Sequence, residues 1–310
     1  MDLILILLLA LAIDLVIGEY PVRLHPTVWA GRLAGAVIKP GLRFKPGIQF
    51  LYGMIVSLGL ISIFAVATWL LLSWLREVNY WVYIFAGAIL LKPAFCLKQQ
   101  WEVAEKTKQI IDSETAVPNE MQGLFSTVTH VEQITKDDII SSSVRSLAEN
   151  ASDFVTGPLF YFLFWGVPGA VAYRVINTLD NMIGYHAQYE YLGKFAARLD
   201  DAASFIPSRL TAIFFILAAW LKKLDTKKAW HIMTTEHCKT PGPNGGWPMA
   251  AVAGALGVSL FKVGSYKIGQ PFRELASSTI TEAVGLYRVS MTALVMVCLL
   301  ALTTSMILRG

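Results

Sequence analysis

Several stretches of this chain set ionisable and amide side chains directly against apolar runs. The densest is SVRSLAENASD, residues 143–153, where Arg145, Glu149, Asn150 and Asp153 precede the apolar run FVTGPLFYFLFWGVPGAV. Charged groups beside a bilayer are costly and are usually kept for function. Glu149 and Asp153, with the Asn150 amide oxygen, form an all-oxygen donor set of the kind Mg²⁺ prefers. The same residues also suit a plain helix end that caps its own backbone. In YRVINTLDNMIGYH, Asn177 stands three residues before Asp180, which puts both on one helical face. ARLDDAASFIPSR carries the adjacent pair Asp200 and Asp201. Arg145, Arg174, Arg198 and Arg209 suit anions, because a guanidinium grips phosphate or carboxylate as a fork. Arg174 and Arg209 equally read as side chains reaching up to lipid headgroups.

PGPNGGWP, residues 241–248, is a turn whose Asn244, Gly245 and Gly246 would let a ligand approach the backbone closely. It matches no Walker pattern. His25, before Pro26, reads either as a base or as a structural hydrogen-bond donor, and Tyr185-His186 is open in the same way. Spaced carboxylates, arginines and a Gly-rich loop point to phosphoryl or metal–nucleotide chemistry. The same groups would serve a transport path.

The elements that position these residues are membrane helices. Of the 310 residues, 55% are hydrophobic and only 15% charged, against roughly a quarter charged in soluble domains. The net charge of +4 comes without a basic stripe, so nucleic acid is not expected as a partner. Cys96, Cys238 and Cys298 are far apart and show no zinc-ligand spacing. The N-terminal apolar stretch lacks a basic start and a small-residue cleavage site, so it reads as a retained helix. Runs 3–17, 50–75, 80–97 and 289–308 read as spans, against the roughly 20 apolar residues a crossing needs. Runs 155–175, 210–221 and 249–263 are short or broken by Gly and Pro, as re-entrant or interfacial pieces are. The expectation is therefore an all-α polytopic membrane protein with four or five transmembrane helices and short re-entrant or interfacial helices. It reads as a single membrane-embedded domain, 1–310, with a cytoplasmic helical hairpin inserted at about 98–154. Thr135 and Asp138 form a capping-box pattern at the start of its second helix. Lysines and arginines at 18–49, 98–154 and 222–228 put those loops in the cytoplasm and the turn REVN outside. The protein is thus expected in the plasma membrane, in contact with lipid, with its polar face cytoplasmic.

At these residues the chain resembles the adenosylcobinamide-phosphate synthases, the CobD/CbiB family of cobalamin biosynthesis. SLAENASD followed by PLFY, GVPGAVAYRVINTLDNMIGY, AARLDDAASFIPSRLTA and GPNGGWPMAAVAGALGV look like its signature blocks, in its order. LAIDLVIGEYPVRLHPTVWAGR resembles its N-terminal block, with Asp14, Gly18, His25, Pro26 and Gly31 in matching places. The resemblance implies a ligase that joins aminopropanol, or its O-phosphate, to adenosylcobyric acid through an amide bond. It implies ATP and Mg²⁺ as cofactors, with Glu149 and Asp153 holding the metal. Glu149, Asp153, Asp180, Asp200 and Asp201 are then the catalytic carboxylates. Arg145, Asn150, Arg174, Asn177, Asn244, Gly245, Gly246 and His25 are the substrate- or phosphate-binding residues. One departure is visible. An Arg-Asp-Thr stretch common in the family is missing, and Thr129-His130 stands about where it belongs. That departure leaves one rival, a non-catalytic membrane sensor of the AmpE type, and the interrupted helices with charges at their ends suggest another, a transporter for an anionic or corrinoid solute.

Overall fold

The computed structural model describes residues 1–21, 23, 25–113, 135–184 and 188–309. Thr129-His130 and Tyr185-His186 lie outside the described residues. The chain is built almost wholly of helices: α1 (Asp2–Val16), α2 (Pro26–Ile38), α3 (Pro46–Val78), α4 (Tyr80–Leu91), α5 (Lys98–Asp112) and α6 (Lys136–Ala151). Then follow α7 (Gly157–Ile183), α8 (Lys194–Ala203), α9 (Phe205–Leu221), α10 (Thr226–Glu236), α11 (Gly246–Leu256) and α12 (Ser277–Arg309). Two three-residue strands, β1 (Leu260–Lys262) and β2 (Tyr266–Ile268), pair antiparallel. By length and composition four helical stretches can cross a membrane, or five if α8 and α9 make one span, so this is a multi-pass membrane protein.

The chain divides into two compact units. One holds Met1–Cys96, Gly157–Ser204 and the C-terminal stretch from Val297; the other holds Leu97–Thr156 and Phe205–Met296. In the first unit the core is drawn from α2, α3, α7 and α8: Ala34, Ile38, Val56, Leu60, Leu179 and Ala196 pack together. The outer face of α3 is apolar and exposed at Leu51, Ile55, Ile63, Val66 and Leu70. A surface of that kind is stable against lipid and not against water. Asn79 starts α4 by accepting from the backbone N–H of Trp81 and Val82, at 2.9 and 3.1 Å.

The interrupted run at 155–175 is a helical hairpin. Gly166 has φ 63°, ψ −155°, and Pro168 follows at the start of the return arm. A positive φ costs glycine nothing, and proline is tolerated in the first turn. The rings of Tyr161 and Tyr173 consequently stack with centroids 5.1 Å apart. Twelve residues along a straight helix would separate them by about 18 Å.

In the second unit, the Thr135 side chain accepts from Asp138 N and Asp138 answers to the Thr135 N–H, so the capping box is formed. Helix α6 passes into one π-helical turn, Ser152–Thr156. The run 249–263 is not one helix. Helix α11 ends at Gly257, whose φ of 65° closes the C-terminus, and the chain turns into β1. Every residue from Met249 to Leu256 is buried, so this small-residue helix packs inside the protein. The run 80–97 also stops short, with α4 ending at Leu91 and a 3₁₀ turn over Lys92–Ala94.

Candidate functional site

In the second unit, α6 carries Arg145 and Glu149 on one side, four residues apart. Arg145 Nη1 donates to the Tyr266 hydroxyl at 2.8 Å, and its guanidinium lies 5.5 Å from that ring's centroid. Its Nε is buried with no hydrogen-bond partner among the described residues. Burial pushes the Tyr266 hydroxyl above its ordinary pKa, against the opposing pull of Arg145, so Tyr266 stays neutral and cannot supply an anion to the arginine. Arg145 and Lys262 are the cations acting on Glu149. The Asn150 amide nitrogen donates to Gln100 Oε1 at 2.8 Å, which ties α6 to α5.

Asp153 lies in the π turn, where the backbone takes in one extra residue. Thr156 Oγ1 donates to Ala151 O at 3.1 Å, and Thr211 Oγ1 donates to Thr156 Oγ1 at 2.7 Å. Such turns re-aim a side chain relative to the helix before them and recur at functional sites.

The PGPNGGWP loop reaches Glu149. A Cβ on Gly245 would stand 2.8 Å from Glu149 Oε1. Gly245 has φ −59°, so close approach, not an unusual backbone, accounts for glycine there. Gly246 answers to a different constraint. Its Cβ would stand 1.9 Å from the His237 carbonyl oxygen, a clash with the turn just before the loop. Asn244 is buried, and its carbonyl accepts from Arg209 Nη1 at 2.8 Å. Arg209 also donates to Phe205 O and Pro243 O and lies over the rings of Phe205 and Trp247, at 3.6 and 4.7 Å. Trp247 stacks on His237 with centroids 3.9 Å apart. Arg209 thus buttresses the loop, a role that headgroup or anion binding did not foresee.

In the first unit, Asp180, Asp200 and Asp201 share one electrostatic environment. Arg174 Nη1 donates to Asn177 Oδ1 at 3.1 Å, and Asn181 Nδ2 donates to the same oxygen at 3.3 Å. The Asn177 side chain also faces Asp200, whose Oδ2 accepts from Ser204 Oγ at 3.5 Å. Asp200 Oδ1 is buried without a hydrogen-bond partner, and neither Asp180 nor Asp200 makes an ion pair among the described residues.

A second polar network in this unit was not foreseen. Lys92, fully buried, has its ammonium 3.0 Å from Asp14 Oδ1 and 2.5 Å from Glu19 Oε1. Glu19 Oε2 accepts from His25 Nε2 at 3.0 Å, and His25 Nδ1 lies 2.6 Å from Thr27 Oγ1. Burial pushes the Glu19 carboxyl up, but hydrogen bonds with His25, Lys92 and Cys96 outweigh it and hold the pKa at about 2. His25 is therefore committed to a carboxylate through one nitrogen. The sequence signal for this network was the lysine in FAGAILLKPAF, since a cation at the end of an apolar helix needs a partner. Among the described residues no group of three or more His, Cys, Asp or Glu is arranged to hold a metal ion.

A family model described as CobD/Cbib protein matches residues 7–303. The chain is 40% identical over 283 residues to "Cobalamin biosynthesis protein CobD" of Dehalococcoides mccartyi (strain CBDB1), covering 91% of each chain. It is 38% identical over 279 residues to "Probable cobalamin biosynthesis protein CobD" of Methanocaldococcus jannaschii, covering 85% of this chain and 87% of that one. To the protein of that same name in Thermococcus kodakarensis it is 37% identical, over 96% of this chain and 95% of the relative. No solved structure matches.

Proposed function

Because this chain belongs to the CobD/Cbib protein family, we propose that it acts in cobalamin biosynthesis as a membrane-embedded, ATP-dependent ligase. It would join aminopropanol or aminopropanol O-phosphate to the carboxylate of adenosylcobyric acid. The observation that carries this reading is the extent of the family match: it takes in every polar block described above. The names of the relatives support the pathway.

Forming an amide from a carboxylate and an amine is uphill in water, so the carboxylate must first be activated. Phosphorylation by ATP would supply that activation, and the amine would then displace phosphate. Arg145 is suited to the phosphate charge, because among the described residues no carboxylate is closed on its buried Nε and planar fork. Gly245 and Asn244 would bring loop backbone against a phosphate beside Glu149. Glu149 and Asp153 would hold Mg²⁺; two carboxylates fit that ion, which keeps several waters and takes phosphate oxygens. When bound, Mg²⁺ offsets the charge of the nucleotide phosphates. The first unit's Asp180, Asp200 and Asp201, with Asn177 and Arg174 beside them, form by themselves a carboxylate cluster suited to a cationic group such as an amine. The polar ends would face the cytoplasm, where ATP is.

The test is isotopic. With ¹⁸O in the reacting carboxylate, activation by phosphorylation places one ¹⁸O in the released phosphate for each amide formed. Phosphate free of ¹⁸O would reject this route.

A further inference from the structure

We propose that the first unit seats a phospholipid in a cleft between its helix ends, and that the Asp2–Arg76 pair there selects a headgroup carrying both a phosphate and a primary ammonium. The site is separate from the clusters described above and stands whether or not the protein is a ligase.

The cleft has a volume of about 760 Å³, within the range of small-molecule pockets. All of its lining residues belong to the first unit. Asp2 stands twelve residues before Asp14 on α1, about 18 Å along the helix, so the cleft lies at the end of α1 away from the Lys92 network. Trp69, Leu72, Ser73 and Arg76 of α3 line it, a spacing that turns one helical face toward it. From Arg76 to Trp69 that face descends about 10 Å, from a charge at the helix end to apolar and aromatic surface. Phe164 and Trp165, at the tip of the α7 hairpin, form another wall. These two rings and Trp69 are all more than half exposed, as aromatic side chains are at the boundary between lipid and water.

The charges decide which lipid fits. Arg76 Nη2 lies 3.1 Å from Asp2 Oδ2, and the Tyr80 hydroxyl donates to Asp2 Oδ1 at 3.2 Å. The Arg76 side chain is 64% exposed, and its fork has N–H donors left over for a phosphate. A lone arginine would favour an anionic lipid. With Asp2 beside it, the pair has no net charge, and a headgroup with phosphate alone would meet a carboxylate it cannot satisfy. A phosphate on Arg76 and an ammonium on Asp2 satisfy both. A trimethylammonium has no N–H to give to Asp2. The tail has a track of its own. Val297, Leu300, Ala301, Thr304 and Leu308 line a groove along one face of α12, and Ser305 lines both groove and cleft. From Val297 to Leu308 the groove runs about 17 Å, close to half of a hydrocarbon core about 30 Å thick. A charged cleft joined to an apolar track of one leaflet's depth suits an amphiphile, not a free phosphate.

The plain alternative is an aromatic belt with an arginine reaching up to whatever headgroups lie near. To separate the two, the purified full-length protein in detergent is equilibrated with phosphatidylethanolamine, phosphatidylglycerol or phosphatidylcholine of identical acyl chains. Retained lipid is then counted by native mass spectrometry. Wild type should hold one phosphatidylethanolamine per chain about 10-fold more tightly than either other lipid, the scale of one charge-assisted hydrogen bond. Asp2→Asn should erase that preference. Arg76→Gln should weaken all three lipids. Ala301→Trp, which fills the groove, should weaken all three without changing their order. Arg43→Gln, at an exposed arginine outside the cleft, should change nothing. Equal retention of the three lipids by wild type would overturn the proposal. So would a preference that survives Asp2→Asn, or a loss in Arg43→Gln as large as in Arg76→Gln. The wild-type comparison needs no variant and decides the matter if one fails to fold.

Discussion

The two polar networks of the first unit are built in opposite ways. Around Lys92, each charge faces its opposite: the ammonium lies between Asp14 and Glu19, and Glu19 also receives His25. Around Asp200, carboxylates gather with an asparagine between them and the arginine, and Asp200 keeps a buried oxygen without a hydrogen bond. A matched network holds its shape with nothing bound. An unmatched one is completed by something from outside, a proton or a cation. The difference teaches where to expect structure to fail and where to expect chemistry to fail.

The largest effect on stability should come from breaking the matched network. Lys92→Met would leave two acids facing each other inside the protein, at a cost of about 3–5 kcal/mol. Thermal unfolding in detergent would show it, and neutralising Asp14 and Glu19 in the same chain should recover much of the loss. Equal stability of Lys92→Met and wild type would mean that the ion pairs do not form. Asp200→Asn should do the reverse. It removes an uncompensated charge, so the melting temperature should hold or rise while amide formation falls by ~100-fold or more. A parallel loss of stability and activity would erase the contrast.

The glycines of the 241–248 loop sharpen it further. Gly246→Ala drives a Cβ into the His237 carbonyl and should cost about 2 kcal/mol of stability. Gly245→Ala meets only the ends of the Glu149 and Met249 side chains, which can move. It should leave stability nearly intact and raise the KM for ATP. The smallest effect is in pH. The folded-state pKa of Glu19, about 2, lies below the ordinary 4.5. Its contribution to stability is fully present above 4.5 and is lost as pH falls through about 2. Glu19→Gln should flatten the unfolding profile over that window, and a profile as steep as wild type would remove Glu19 from the network. Sidedness is open to labelling. A cysteine at Asn79 should react with an impermeant reagent from outside, and one at Asn181 only after the membrane is opened.

Much of this was legible in the sequence because membrane helices announce themselves by length and composition. The long helix α3, the capping box at Thr135 and the broken run around Gly166 all followed from local chemistry. The family blocks located the polar residues of both units. What stayed hidden depended on partners distant in the chain. Lys92 looks like a stray charge until Asp14 and Glu19, more than seventy residues away, are folded against it. Arg209, on α9, looked like an anion ligand until the carbonyls and rings of the 241–248 loop used up its fork. The π turn at Ser152–Thr156 leaves no composition signal, since it adds a residue to a helix without changing residue type. Two helix ends were marked by local signals: Gly257 stands where a left-handed cap belongs, and Pro93 follows just after α4 ends at Leu91.

The central claim is amide ligation, and one measurement bears on it most directly. Purified protein would be incubated with adenosylcobyric acid, Mg·ATP and either aminopropanol or aminopropanol O-phosphate, and the corrinoid weighed by mass spectrometry. The account predicts a product heavier than adenosylcobyric acid by the chosen amine less one water, formed only with ATP and absent in Asp200→Asn. A corrinoid of unchanged mass with both amines, from protein that is folded and membrane-competent, would contradict it.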